Sequence, residues 1–160
     1  VEPGGGSEAP EPDTGAEGVI FVTGGEIWLR LGDKEHDLGP GGYAYVAPGT
    51  DWQVHNGTDH PARFHWVRKL YEPAPGIATP ACFVTSDQAV APVAMPDTGG
   101  TWATTRFVDP DDLTHDMHVN IVNFEPAFAA STPDFVGRNN DCSAASPTRS
   151  LLSRSRLTRT

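Results

Sequence analysis

From Gly18 to Leu70 the chain is cut into short β-prone runs by glycine- and proline-bearing turns at near-regular spacing, and this punctuation constrains the fold most. Residues 19–23 (Val-Ile-Phe-Val-Thr) and 26–31 (Glu-Ile-Trp-Leu-Arg-Leu) flank Gly24-Gly25, a hairpin signature of β-branched and aromatic residues around a glycine pair. A second tight turn at residues 32–34 leads into a short strand over 35–38. Residues 39–42 (Gly-Pro-Gly-Gly) precede a strand over 43–46, and Pro48-Gly49-Thr50 precedes one over 52–55. Residues 62–70 alternate well enough for a closing strand. No stretch has a convincing helical period, so the expectation is an all-β, jelly-roll barrel.

Two spacings inside this region sharpen the expectation. Glu17, six residues and Gly24 reproduce the end of the first cupin motif, which runs Gly, five residues, His-x-His, three or four residues, Glu, six residues, Gly. The histidine positions would be 10 and 12, or 11 and 13. They hold Pro10 and Pro12, or Glu11 and Asp13, and no histidine occurs before His36. The second motif asks for Gly, five residues, Pro-x-Gly, two residues, His, three residues, Asn. Its register falls on Gly41, Ala47-Pro48-Gly49, Trp52 and Asn56, so the turn residues remain and the histidine is replaced by Trp52. Proline and tryptophan offer no lone pair suited to a metal, and the barrel is expected to bind none.

A second β pattern follows a Pro/Gly-rich connection. Residues 102–108 form one run, residues 109–112 (Asp-Pro-Asp-Asp) an acidic turn, and residues 117–124 another run. Alternation then stops near Ala129 and the chain becomes rich in Ser, Thr and Arg. The expected organisation is an irregular segment over 1–14, a metal-free cupin barrel over 15–73 and a linker over 74–101 with a short β-like stretch at 81–85. A partial second cupin over 102–126 and a disordered tail over 127–160 complete it.

Charge narrows the partners. The formal net charge is −10, made of −13 over residues 1–128 and +3 over residues 129–160. An acidic body argues against a nucleic-acid surface, and the tail arginines lack aromatic stacking partners. No apolar run approaches the ~20 residues that cross a bilayer, so no membrane association and a cytoplasmic location are expected. Cys82 and Cys142 stand far apart and are expected to be reduced thiols.

Met95-Pro96-Asp97-Thr98, residues 102–112 and residues 115–126 (His-Asp-Met-His-Val-Asn-Ile-Val-Asn-Phe-Glu-Pro) resemble the interdomain region and opening second-cupin strand of the (S)-ureidoglycine aminohydrolase family. Glu17-Gly18-Val19, Gly41-Gly42-Tyr43 and Tyr71-Glu72-Pro73 agree with it, and the resemblance covers residues 15–126. It implies a tandem cupin that releases ammonia from the ureide substrate ureidoglycine, giving ureidoglycolate in purine breakdown, and that forms a homo-oligomer when complete. It also implies manganese held by the second cupin, in a Glu-Thr-His-x-x-Glu-His segment downstream of Asn-Phe-Glu-Pro. From Ala127 onward this chain has no histidine, and its only acids are Asp134 and Asp141. No metal ligand, cofactor-binding residue or catalytic residue is therefore assigned. The second cupin is expected to be truncated or replaced, and the chain inactive by itself, a non-catalytic module for ligand binding or oligomer contacts being the alternative.

The remaining candidates read as structural. His115 and His118, beside Asp116, would point to opposite faces of a strand and are expected to be a turn and a surface histidine. His55 and His65 could meet across neighbouring strands. Asp109, Asp111 and Asp112 lack the glycine and terminal glutamate of a calcium loop. Trp28, Trp52 and Trp66 read as core before ligand lining.

Overall fold

The computed structural model describes residues 1–126 and the backbone of the short strand Ser150–Leu151. The tail expected over residues 127–160 thus lies, apart from that strand, outside the described residues, and so does Cys142.

Twelve strands and no helix occur among the described residues. They are β1 Gly6–Ser7, β2 Ala16–Gly24, β3 Ile27–Leu31, β4 Lys34–Leu38, β5 Gly42–Val46 and β6 Trp52–His55, then β7 Arg63–Leu70, β8 Phe83–Ser86, β9 Val93–Ala94, β10 Trp102–Arg106, β11 Asn120–Phe124 and β12 Ser150–Leu151. All pairings are antiparallel and give three sheets of four: β1-β6-β3-β4, β7-β2-β5-β8 and β12-β11-β10-β9. The first two form the walls of the barrel. Their facing sides bury Ile20, Val22, Leu29, Leu31, Ala44, Val46, Trp52 and Val54.

The middle sheet is covered on both faces. Along β2, Ile20 and Val22 point into the barrel, while Val19 and Phe21 point the other way. There they meet Tyr43, Tyr45 and Ala47 from the β5 region and Met117, Val119 and Ile121 from the second block. β2 is therefore buried from Ala16 through Val22, and β5 along its full length. Strands buried on both faces read as continuous apolar runs, which is how residues 19–22 and 43–46 look in the sequence.

The local determinants are visible in the turns and loops. Gly41 and Gly49, the glycines of the second motif, adopt φ of +87° and +77°, where a side chain is strained. At Gly41 an added Cβ would also lie 2.2 Å from Asp87 Oδ1. Asn56, fully buried, closes the loop after β6: its Nδ2 donates to Val1 O (3.0 Å) and His60 O (2.8 Å), and its Oδ1 accepts from Thr58 N (3.0 Å) and Oγ1 (2.7 Å). The motif asparagine thus works as a loop clamp, adding a buried side-chain donor to the Val1 and His60 carbonyls, which also accept from Ala62 N and Thr58 Oγ1.

Several expected boundaries shift. Gly6–Ser7 lies in the segment expected to be irregular, yet it pairs with Val54 and His55 of β6. β8, from the stretch expected as a linker, pairs with β5 and extends a barrel sheet. The run expected to begin at residue 117 becomes strand only at Asn120, because residues 115–119 are held instead against the outer face of the middle sheet. Ser150–Leu151, within the tail expected to be disordered, pairs with β11.

Candidate functional site

The barrel interior is filled rather than hollowed for a ligand. Trp52, at the histidine position of the second motif, is buried and meets Trp66 edge-on, with ring centroids 5.4 Å apart. Register explains the meeting: Trp66 is opposite Ile20 on β2 and so shares its inward face. A cavity of about 40 Å³ lined by Glu11, Ala16, Gly18, Val46, Trp52 and Trp66, among others, remains at this end. That is room for ordered water and far too little for an organic substrate. Glu11 is occupied at its rim, holding Arg68 through contacts of 2.5 and 2.8 Å.

Glu17 does not face this interior. Opposite it on β7 stands Lys69, two residues from Val67, and both belong to the outer face that carries Val19 and Phe21. The spacing of the first motif survives, but its carboxylate is directed away from the place where an interior metal would sit. With Trp52 in the second motif's histidine position, the residues of this barrel do not fit a metal ion. Among the described residues no group of three His, Cys, Asp or Glu side chains is arranged to hold one.

The polar chemistry lies instead in the seam between the middle sheet and residues 107–121. Glu17, 1% exposed, accepts a 2.6 Å hydrogen bond from the Tyr45 hydroxyl through Oε2. Its carboxyl also lies within hydrogen-bonding reach of Asp116. Asp116 Oδ2 accepts from Lys69 Nζ at 2.6 Å and from the Glu72 amide at 2.7 Å. Glu17 Oε1 and Asp116 Oδ1 have no donor from any other group. Two neighbouring buried carboxyls, each with one oxygen lacking a donor, are satisfied when one of them carries a proton.

The electrostatics say which. Burial first, then the Asp116 carboxylate, raise the pKa of Glu17 from 4.5 to about 8, against the lowering effects of Tyr45 and Lys69. Burial alone would raise Asp116 as well, but the Glu17 proton, Lys69 and the Glu72 amide outweigh it and hold Asp116 below the ordinary carboxylate range. At neutral pH the seam contains a neutral Glu17, a charged Asp116 and a charged Lys69, and is balanced. Burial followed by Glu17 pushes the Tyr45 and Tyr43 hydroxyls up, so both stay neutral, Tyr45 donating to Glu17 and Tyr43 buried without a partner.

His115 completes the seam and departs from expectation. Its ring is buried against Tyr45 (centroids 4.6 Å, edge-on) and Phe83 (6.0 Å), not on a turn surface. Nδ1 faces Asp112 Oδ2 at 3.3 Å and Thr114 Oγ1 at 3.1 Å. Burial lowers its pKa, Asp112 only partly offsetting this. The opposite-face argument for His115 and His118 fails because residues 115–119 are not a strand. Tyr71, whose hydroxyl donates to Thr114 O at 3.0 Å, ties the end of β7 to the same loop.

Other candidates stay apart. His55 lies on β6 of one wall and His65 on β7 of the other, so they do not meet. Trp28 lies on the outer side of the β1-β6-β3-β4 sheet with His55 and Gln53, along an open groove of about 430 Å³. Asp109 and Asp112 cap their own turn, accepting from the amides of Asp111 and Thr114 at 2.9 Å each. Cys82 is a free thiol under the barrel, against Ala47 N and Thr50 Oγ1 at 3.2 Å each. Sequence reasoning missed the seam, although the charged residue in β2 at the same parity as Val19 and Phe21 was a usable signal.

Two facing walls of antiparallel sheet, the two motif glycines and the Asn56 clamp define a cupin-fold protein, and residues 1–68 match the cupin domain family model. Among solved structures, a Pseudomonas aeruginosa protein carrying the name glyoxylate-induced protein is 53% identical, with a TM-score of 0.77 over 79% of this chain and 47% of that one. The Escherichia coli protein YlbA (22% identical, TM-score 0.68, 79% of this chain and 48% of that one) shares the fold. So does an IolB-like protein from Salmonella typhimurium (16%, 0.56, 78% and 48%). The chain thus spans about half the length of the structures it matches. A comparison with curated proteins finds no match. No helix among the described residues is long and apolar enough to cross a membrane.

Proposed function

We propose that this chain supplies the metal-free first barrel of a tandem-cupin protein of the (S)-ureidoglycine aminohydrolase type and acts there as a scaffold without chemistry of its own. In that architecture the second barrel would hold manganese, which would supply Lewis-acid chemistry for release of ammonia from the substrate. The observation that carries the reading is the doubly buried middle sheet. One face closes a filled barrel, and the other is a prepared platform on which residues 107–121 of the second block are seated. The seated residues are those whose sequence resembles the interdomain region of that family, and the 53% identity to a structure about twice as long supports the same division of labour.

The scaffold role follows from what each face offers. Inside, buried Trp52 fills the position of the motif histidine, and Trp66 meets it edge-on from a 37% exposed position. Outside, aromatic pairs such as Tyr43 on Phe107 (4.0 Å) give the platform a rigid shape that a second barrel can be built on. The test is manganese-supplemented ammonia release from (S)-ureidoglycine. The purified chain is compared with the same chain joined to the remaining half of the Pseudomonas aeruginosa relative. The chain alone is expected to be inactive and the joined protein active. Activity of the chain alone overturns the scaffold role, and an inactive but folded joined protein overturns the substrate.

A further inference from the structure

We propose that Glu17 and Asp116 form a proton-operated latch on the seam: it holds residues 107–121 to the middle sheet while the two carboxyls share one proton and releases them when that proton is lost. The inference is independent of the substrate proposed above.

The geometry carries it. Glu17 belongs to β2 in the middle of the barrel wall, and Asp116 belongs to the loop that precedes β11. Their contact is therefore a bond between the two bodies of the seam, not within one of them. The groups facing the pair are Tyr43 and Tyr45 from β5, Lys69 and Tyr71 from the end of β7, and Asp112, His115 and His118 from the second block. Lys69 is the one cation in direct contact with either carboxyl among the described residues, and it is spent on Asp116. In the closed seam the Glu17 and Asp116 carboxyls share one proton, and the charges of Asp116 and Lys69 cancel. Transfer of that proton to solvent base leaves two buried carboxylates beside one ammonium, with no donor between them. Repulsion and lost hydrogen bonding then favour separation, since Glu17 regains water only if residues 115–116 move off.

Linkage gives the size of the response. The raised pKa of Glu17 means that the open seam binds the proton less well than the closed one. Opening should thus become more frequent as pH rises from about 5, by up to tenfold per unit, and level off above about 8. Nothing in the barrel's other wall shares this dependence.

The experiment is native-state amide hydrogen exchange on the full chain at pH 6, 7, 8 and 9, corrected for the intrinsic rise of exchange with pH. Amides of β10 and β11 are expected to lose at least tenfold in protection between pH 6 and 8, while those of β3 and β6 keep theirs. In Glu17→Gln, whose amide donates without titrating, β10 and β11 should hold their protection throughout. If that variant does not fold, Tyr45→Phe serves. Loss of its hydroxyl removes a donor that favours charged Glu17, so the midpoint of the opening must move to higher pH. Unchanged protection of β10 and β11 in the natural chain, equal loss in β3 and β6, a Glu17→Gln response matching the natural one, or an unmoved midpoint in Tyr45→Phe each overturns the latch.

Discussion

Replacing Glu17 by Gln should remove most of the stability that the protein loses in alkali, and the structure fixes the scale. Glu17 has a pKa near 4.5 when exposed and about 8 when folded. Between those values the folded chain keeps a proton that the unfolded chain has released, so stability falls as pH rises. At about 1.4 kcal/mol per pH unit, the 3.5-unit gap corresponds to an upper limit of about 5 kcal/mol lost between pH 4.5 and 8. A domain of this kind has only ~5–15 kcal/mol in total, so the loss is a large fraction.

Other groups act in different windows. His115, whose folded pKa is lowered, contributes a slope of opposite sign just below pH 6.5. The depressed pKa of Asp116 acts only in acid, and the raised tyrosines only above pH 10. Subtracting the two proteins cancels the His115 slope, and the Asp116 and tyrosine windows fall outside pH 5 to 9. The assay is denaturant unfolding followed by tryptophan fluorescence at pH 5 to 9. The natural chain should lose several kcal/mol relative to Glu17→Gln across this range, most of it between pH 5 and 8. Parallel profiles would refute the buried, protonated Glu17.

Three further substitutions probe the layers separately. Trp52→Ala should cost about 3–5 kcal/mol in the same unfolding assay, because it empties the filled interior beside Trp66; a cost under about 1 kcal/mol would mean the site is a solvated lumen. Ile121→Ala, at a 2% exposed position of the seam, should cost about 2–4 kcal/mol and expose Phe107 and Tyr43 to solvent, read as increased binding of an apolar dye. Asn56→Ala removes two side-chain hydrogen bonds to the Val1 and His60 carbonyls, which keep Ala62 N and Thr58 Oγ1 as donors, and should cost about 1–2 kcal/mol, with Asn56→Asp no better, since a carboxylate cannot donate to either.

Much of the barrel was legible in the sequence because its turns are written in residue types that turns demand. Gly32 ends one hairpin strand, Gly41 and Gly49 sit at positive φ, and β6 falls on the residues read as a strand. β3 alternates between buried and half-buried positions as a wall strand should. What was not legible depended on partners distant in the chain. The motif spacing around Glu17 says nothing about which face of β2 it occupies. That face became clear only from the outward company of Val19 and Phe21 and from Lys69 opposite it. His115 and Asp116 looked like a surface turn because their burial is created by β2, β5 and β8, more than 25 residues earlier. A strand expectation for residues 117–119 also ignored that apolar residues can be buried by docking as well as by pairing.

The account rests on a carboxyl that has left the metal position and entered the seam. Its most direct test is a carbon-13 NMR titration of the Glu17 side-chain carboxyl, with and without manganese(II). The account predicts a midpoint near pH 8 and no selective paramagnetic broadening of this signal. A midpoint near 4.5, or strong broadening of the Glu17 carboxyl by stoichiometric manganese, would contradict it and return Glu17 to the barrel interior as a ligand.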